Sequence, residues 1–206
     1  MCGRYELNAT PRQIAAGFGV LDVPAFAPND DLRPTNCAPV IRLDRGGARQ
    51  CELMRWGLIP SWAKDTKAGS RCFNARAETV ATLPSFRNAY QRRRCIVPAS
   101  AFFEWPTLEG RKRKLRIARR DGAMLALAGL WEYWKARDQP DAEGIVSFTI
   151  ITAAPNADIA PYHNRMPVFL EPAQFDAWLD PARGDGQVLL APPPDGLLVA
   201  TDADAA

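Results

Sequence analysis

The chain begins Met-Cys-Gly-Arg-Tyr, and its second residue carries the most distinctive chemistry in the sequence. A cysteine directly behind the initiator methionine becomes the N-terminus once Met1 is removed. That one residue then holds both a free α-amine and a thiol. An N-terminal amine titrates at about 7.7–8.0, so part of it is neutral near pH 7. A neutral amine attacks an aldehyde to form a Schiff base, and a neighbouring thiolate can then close on the imine carbon. The five-membered thiazolidine that results is more stable than the open imine. Gly3 has no side chain to obstruct the approach.

Four other stretches hold groups that could serve this chemistry. Asn74 lies in Phe-Asn-Ala-Arg-Ala-Glu-Thr; it reads either as a turn or cap residue or as a polar anchor for an amine or a sugar hydroxyl. Arg76, two residues on, faces the same way if this piece is extended. Glu104 lies among Phe102, Phe103, Trp105 and Pro106. Strand alternation would allow it to face solvent. If it is enclosed instead, desolvation raises its pKa toward neutrality and suits it to proton transfer. His163, in Pro-Tyr-His-Asn-Arg-Met-Pro, is the only histidine, so any step that needs an imidazole must use it. Trp56 and Trp62 frame Trp-Gly-Leu-Ile-Pro-Ser-Trp. Tryptophans usually belong to cores, but an exposed one near arginines can stack on an unpaired base.

Composition narrows the classes. A chain of 206 residues, 47% hydrophobic and 24% charged, suits one packed domain, taken here as residues 1–206 with a loose end from about residue 191. No stretch approaches a membrane span, and the N-terminus lacks the apolar core of a secretory signal, so a cytoplasmic protein without membrane contact is expected. Five widely spaced cysteines with no CxxC pair and a single histidine argue against a disulfide framework and a zinc site. No metal or cofactor is expected, and the protein is expected to be a monomer. The net charge is only +3, yet most of the 26 basic residues are arginine, whose planar fork suits phosphate. The runs Gln-Arg-Arg-Arg-Cys and Gly-Arg-Lys-Arg-Lys-Leu-Arg-Ile-Ala-Arg-Arg are local basic signals; such runs are either solvated faces or nucleic-acid contacts.

The elements that must position these groups are short, because 18 prolines and 14 glycines punctuate the chain. Thr10-Pro11 followed by an apolar pattern and Gly19 predicts a capped helix. Strands are predicted over 51–60, over 94–105 with an internal turn, and over 144–154. Residues 114–120 and 123–134 flank Asp121-Gly122 and predict a hairpin. Helices are predicted over 84–93, 154–163 and 171–180. Gly46-Gly47 and residues 137–144 read as exposed loops. The pattern predicts an α+β fold: one mixed domain around a curved, mostly antiparallel sheet with a few short helices.

Taken together these stretches resemble the SRAP family (SOS-response-associated peptidase, or abasic-site processing proteins). The resemblance rests on Met-Cys-Gly-Arg-Tyr, Asn-Cys-Ala-Pro at 36–39, Arg-Trp-Gly-Leu-Ile-Pro-Ser-Trp, Phe-Asn-Ala-Arg-Ala-Glu-Thr, the run from Arg93 to Trp105, Leu-Ala-Gly-Leu-Trp-Glu-Tyr-Trp and the run from Ile151 to Leu170, in that order. It implies the SRAP fold and single-stranded DNA bearing an abasic site as partner. It implies that Cys2 is joined covalently to the ring-opened sugar, that Asn74, Glu104 and His163 line the pocket, and that Arg4, Arg76 and Arg165 lie near phosphates. Pro39, Trp62 and Trp105 complete the expected DNA contacts. Two departures stand out: Thr35 occupies a position where the family often has an aromatic residue, and the sequence ends at 195–206 where members usually continue.

The expected function is therefore covalent capture of the abasic-site aldehyde as a thiazolidine, with weak lyase activity through the Schiff base and removal of Met1. The alternatives are an N-terminal-nucleophile amidohydrolase, a thiol peptidase or autopeptidase pairing Cys2 with His163, and a plain DNA-binding module.

Overall fold

The apolar, β-branched run predicted as a strand at 144–154 becomes the element around which the domain is arranged. In the computed structural model, which describes residues 2–138, 141–183 and 186–204, the strands in chain order are β1 (Tyr5–Leu7), β2 (Asn29–Leu32), β3 (Cys37–Leu43), β4 (Arg49–Trp56), β5 (Asn74–Arg76), β6 (Arg94–Ala99), β7 (Ala101–Glu104), β8 (Thr107–Leu108), β9 (Arg111–Lys112), β10 (Leu115–Arg119), β11 (Leu125–Trp134), β12 (Ile145–Ala153), β13 (Met166–Pro167) and β14 (Leu198–Asp202). The helices are α1 (Pro11–Phe18), α2 (Arg87–Arg92) and α3 (Phe175–Leu179), with short 3₁₀ turns between elements.

β11, β6, β3, β4 and β12 pair in sequence, and β12 pairs back to β11. The sheet therefore closes on itself, which removes exposed edges from the core. β12 is paired along both edges. Ile150 faces Gly129 of β11 in an antiparallel register and Asn74 of β5 in a parallel one. A second sheet, in the order β14-β10-β7-β1-β2, is antiparallel throughout. The two sheets meet at Ser100, where the run from Arg94 passes from β6 into β7. The backbone N–H of Ser100 donates to Glu6 O at 2.8 Å, and Asn8 N donates to Ser100 Oγ at 2.8 Å. The turn expected inside 94–105 is thus the point where one strand changes sheets.

The mixed, mostly antiparallel single-domain fold agrees with the expectation, and so does the first helix. Thr10 and Gln13 form a reciprocal capping box, Pro11 occupies the first turn, and Gly19 closes the helix at φ 65°. Four local expectations are corrected. The strand over 51–60 ends at Trp56, because Gly57 turns out at φ 106°. A Cβ on Gly57 would lie 2.6 Å from the carbonyl oxygen of Gly69. The chain does turn at Asp121-Gly122, but β10 and β11 do not pair; β10 joins β7 and β14, and β11 joins β6 and β12. Residues 154–163 form turns rather than a helix. Pro155 and Pro161 remove backbone donors there, and the Asn156 N–H goes to Met166 Sδ at 3.2 Å. Residues 198–202 are not loose: β14 pairs with β10 over its full length. The predicted loop over 137–144 is described only at 137–138 and 141–144, where it is turn and coil.

The core holds Trp56, Tyr5, Phe148 and Phe73 around the start of the chain. Tyr5 and Trp56 meet edge-on at 5.1 Å between centroids, Trp56 stacks on Phe148 at 6.2 Å, and Trp56 Nε1 donates to Phe73 O at 2.8 Å. An aromatic residue so close to the N-terminus ties down a segment that would otherwise fray.

Because Gly57 combines a left-handed backbone with a backbone contact on the side where Cβ would sit, Gly57→Ala should destabilise the fold by about 2–4 kcal/mol. Urea denaturation should show a lower midpoint with an unchanged slope.

Candidate active site

β1 and β7 run antiparallel, with Tyr5 opposite Phe102 and Glu6 opposite Ala101, and Phe103 N donates to Arg4 O at 3.0 Å. Continuing that register sets Gly3 opposite Glu104, so pairing of the first strand brings Cys2 to the end of β7. On its other side is β5, where the Asn74 side chain reaches across: Nδ2 donates to the carbonyl oxygen of Cys2 at 2.7 Å. Asn74 Oδ1 is buried and has no hydrogen-bond partner among the described residues. It is an acceptor held beside Cys2, suited to an ammonium or amine N–H.

Cys2 is fully buried, and its thiol donates to Arg4 O at 3.6 Å. Burial pushes the thiol well above its ordinary value, and the nearby Glu104 charge adds to the rise. The resting side chain is a thiol, not a thiolate.

Glu104, the last residue of β7, is buried beside Phe103 and Trp105. Burial raises its pKa to about 7. His163 Nε2 stands 3.7 Å from Glu104 Oε2. Burial also lowers the His163 pKa, which favours the neutral imidazole. The histidine is gripped from behind by the backbone of Arg165. Its Nδ1 lies 2.9 Å from the Arg165 N–H and 3.0 Å from the Arg165 carbonyl oxygen. A neutral ring with its proton on Nε2 accepts from the N–H, and the other neutral tautomer donates from Nδ1 to the carbonyl. A doubly protonated ring likewise donates to the carbonyl. Either state of His163 therefore finds a partner without moving, which suits a group that passes a proton.

The expected site residues divide clearly. Cys2, Asn74, Glu104 and His163 come together. Arg76 is exposed and lines a cleft of about 550 Å³ with Glu78, Thr79, His163, Asn164 and Arg165. Arg165 faces the same cleft but is already engaged: Nη1 and Nη2 donate to the two Glu78 oxygens at 2.6 and 2.9 Å, and Nη2 also donates to Thr152 O at 2.5 Å. Arg4 lies over the Trp105 ring at 5.1 Å and within 3.4 Å of Asp31. Trp105 and Trp62 are exposed; Trp62 lies apart from this cleft and donates weakly to Pro84 O at 3.4 Å. Pro39 does not join the group. It is buried in β3 opposite Leu53 and lines a separate small cavity with Leu7, Phe26 and Leu32. Glu78 and Thr152 were not singled out from sequence. The alternation that pairs Asn74 with Arg76 also reaches Glu78, which is exposed between buried Ala77 and Val80 on the same rim; Thr152, across the sheet, leaves no such trace. Among the described residues no group of three or more His, Cys, Asp or Glu side chains could hold a metal ion, all five cysteines are free, and no helix is long and apolar enough to cross a membrane.

A single mixed α/β domain around a closed, curled sheet is the architecture of SRAP-like proteins, and a solved Bacteroides thetaiotaomicron structure superposes on it with a TM-score of 0.87 at 26% identity, covering 98% of this chain and 91% of that one. The chain belongs to the SOS response associated peptidase (SRAP) family, whose model matches residues 1–203. It is 37% identical over 210 residues to the abasic site processing protein YoqW of Bacillus subtilis strain 168, covering 99% of this chain and 89% of that one. It is 36% identical over 159 residues to the abasic site processing protein YMR114C of Saccharomyces cerevisiae, covering 75% of this chain and 41% of that one. A crystal structure of a Bordetella bronchiseptica protein superposes with a TM-score of 0.84 at 30% identity, covering 98% of this chain and 99% of that one.

The raised pKa of Glu104 has a consequence for stability. In the unfolded chain the carboxyl ionises near its ordinary value; folded, it keeps its proton up to about 7. The folded state binds more protons in that interval, so this group's contribution is full at low pH and is lost as pH rises through 7. His163, shifted downward, acts in the opposite sense. Glu104→Gln removes only the first contribution. Its stability relative to wild type should increase from about pH 5 to about pH 8, as read from urea midpoints across that range.

Proposed function

We propose that this protein captures the ring-opened aldehyde of an abasic site in single-stranded DNA as a thiazolidine on Cys2, after Met1 has been removed. The observation that carries the reading is the juxtaposition of Cys2 with Asn74 on one side and a glutamate that titrates at about 7 on the other. The family membership and the names of the relatives agree with it.

The chemistry then follows from the side chains. Protonated Glu104 donates to the ring oxygen as the closed deoxyribose opens, and the C1′ hydroxyl proton returns to the Glu104–His163 pair as the aldehyde forms. The neutral Cys2 amine, oriented by Asn74, adds to C1′ to give a carbinolamine. Its hydroxyl leaves as water with a proton supplied by the Glu104–His163 pair, and a Schiff base remains. The thiol sulfur then bonds to C1′ while its proton passes to the Glu104 carboxylate. The sum is amine, thiol and aldehyde converted to thiazolidine and water. A thiol that is protonated at rest suits this order, because its proton leaves only when the sulfur meets an electrophilic imine. If a base takes a C2′ proton from the Schiff base first, the C3′–O bond breaks and the 3′ phosphate leaves. Ring closure by sulfur competes with that loss, which accounts for a lyase activity that is weak.

Arg76 holds the backbone without reading sequence, beside Arg165, whose guanidinium is already held by Glu78. Single-stranded DNA is favoured because a lesion inside an intact helix would have to be flipped out. A peptidase reading would need a thiolate paired with His163. The Cys2 thiol bonds to Arg4 O and His163 Nε2 faces Glu104, so the geometry favours aldehyde capture.

An oligonucleotide bearing one abasic site should form a heat-stable adduct with the protein on a denaturing gel, and mass spectrometry should place the link on Cys2. Cys2→Ala should abolish the adduct and keep most of the noncovalent binding; cross-linking equal to wild type would sink the reading. A form that retains Met1, verified by intact mass after reaction, should bind but give no stable adduct, because an amide nitrogen cannot form an imine. Glu104→Gln should slow adduct formation, with its largest effect below about pH 7, where the wild-type carboxyl holds its proton. Noncovalent binding should weaken steeply with salt, and Arg76→Ala should flatten that dependence by about 0.7 in logarithmic slope for one lost phosphate contact.

A further inference from the structure

The longest uninterrupted basic run in the chain, Arg111-Lys112-Arg113-Lys114, has no part in the site described above. It lies on a projecting hairpin. β8 and β9 pair across a tight turn at Glu109 and Gly110, both with positive φ, 50° and 75°. The hairpin springs from Trp105 and Pro106, the residues that follow Glu104, and closes at its base where Arg113 N donates to Pro106 O at 3.0 Å. Arg111, Lys112 and Arg113 are exposed. Arg113 pairs with Asp202 at 3.3 Å, whereas Arg111 and Lys112 make no ion pair among the described residues. Glu109 at the tip is the only acidic residue of the hairpin itself.

A basic run is most often a solvated face. Here it continues into a track of alternating cations and aromatic rings. Lys114 Nζ stands 4.5 Å from the Phe103 ring centroid, Phe103 meets Trp105 at 6.4 Å and 44°, and Arg4 lies 5.1 Å from the centroid of Trp105. Arg4 is two residues from Cys2. The track therefore runs unbroken from the reactive residue to the free cations of the hairpin, with Trp105 exposed along it. Cations that follow a phosphate backbone, interleaved with a ring on which a base can stack, are what an unpaired strand requires. Asp31, which faces Arg4 and Arg33, trims the charge of the track near Cys2, leaving the hairpin as its most positive part.

We propose that the β8–β9 hairpin is a second phosphate-binding element that grips the lesion-bearing strand on one flank of Cys2, through Arg111 and Lys112, beyond the Trp105 contact that the family resemblance already implies. The cleft of Arg76 and Arg165 adjoins the site through His163, and the hairpin adjoins it through Trp105, so the two serve different flanks. This rests on the aldehyde-capture reading for the identity of the strand, but binding tests it separately from capture.

The test uses the full chain in a Cys2→Ala background, so that only noncovalent binding is read. Single-stranded oligonucleotides carry the abasic site near the 5′ end, at the centre or near the 3′ end, and fluorescence anisotropy gives affinity against salt. Arg111→Ala with Lys112→Ala should weaken binding roughly fivefold to tenfold and reduce the logarithmic salt slope by about 1.4, two phosphate contacts at about 0.7 each. The loss should fall only on strands extended to one side of the lesion. Arg111→Lys with Lys112→Arg should restore the slope. Trp105→Ala should weaken binding on that same flank with the slope unchanged, because stacking releases no counterion. Unchanged affinity and slope in the double alanine variant, or equal losses on both flanks, would overturn the assignment. Hairpin-dependent binding by a wild-type protein that forms no adduct would count against the capture chemistry and support the hairpin.

Discussion

Everything at the site depends on a three-residue strand. β1 is held between β2 and β7, and Tyr5 on it is buried against Trp56 in the barrel core. A chain start normally frays, because nothing offsets the entropy of ordering it. Here burial of one tyrosine and pairing on two edges supply the offset, and Cys2 inherits the order two positions upstream of Arg4. The register of β1 on β7 then decides which side chain of β7 meets the N-terminus. A slip by one residue would place an aromatic side chain where Glu104 now stands.

That placement sets up an electrostatic arrangement of two groups and one proton. Burial raises the Glu104 carboxyl and lowers the His163 imidazole. Both shifts favour the neutral pair over the ion pair, with His163 Nε2 3.7 Å from Glu104 Oε2. The Arg165 backbone offers His163 both an acceptor and a donor, so Nδ1 keeps a hydrogen-bond partner in each protonation state. Asn74 Nδ2 holds the Cys2 carbonyl beside this pair.

The arginines show why residue type alone does not define a binding surface. Arg165 and Arg119 are each satisfied by carboxylates, Arg165 by Glu78 and Arg119 by Asp121 and Glu171. Arg94 is buried between the Tyr90 and Trp178 rings. These side chains hold the fold together. Arg76 and the hairpin cations Arg111 and Lys112, by contrast, are exposed and form no ion pair among the described residues. Exposed cations such as these, which no carboxylate already holds, are the kind a polyanion can use.

Residue chemistry and short-range pattern were legible in the sequence itself. The aminothiol at Cys2, the lone His163, Glu104 among aromatics, the Thr10 cap with its Gly19 stop, and the β12 run all rest on neighbours within a few positions. What the sequence could not settle depended on partners far away in the chain. Asp121-Gly122 does make a turn, yet β10 and β11 go to different sheets, because β10 finds β14 and β7 while β11 finds β6 and β12. The end of the chain read as loose because β14 is ordered only by β10. Pro39 carried a motif position but lies inside β3, away from the reactive residues. Glu104 could have faced water; only the β1–β7 register and the packing of the barrel turned it inward and moved its pKa. Local sequence determined which groups exist and how the chain bends. Pairing between distant strands decided which groups meet, because burial and Coulomb interaction depend on distances that no local pattern encodes.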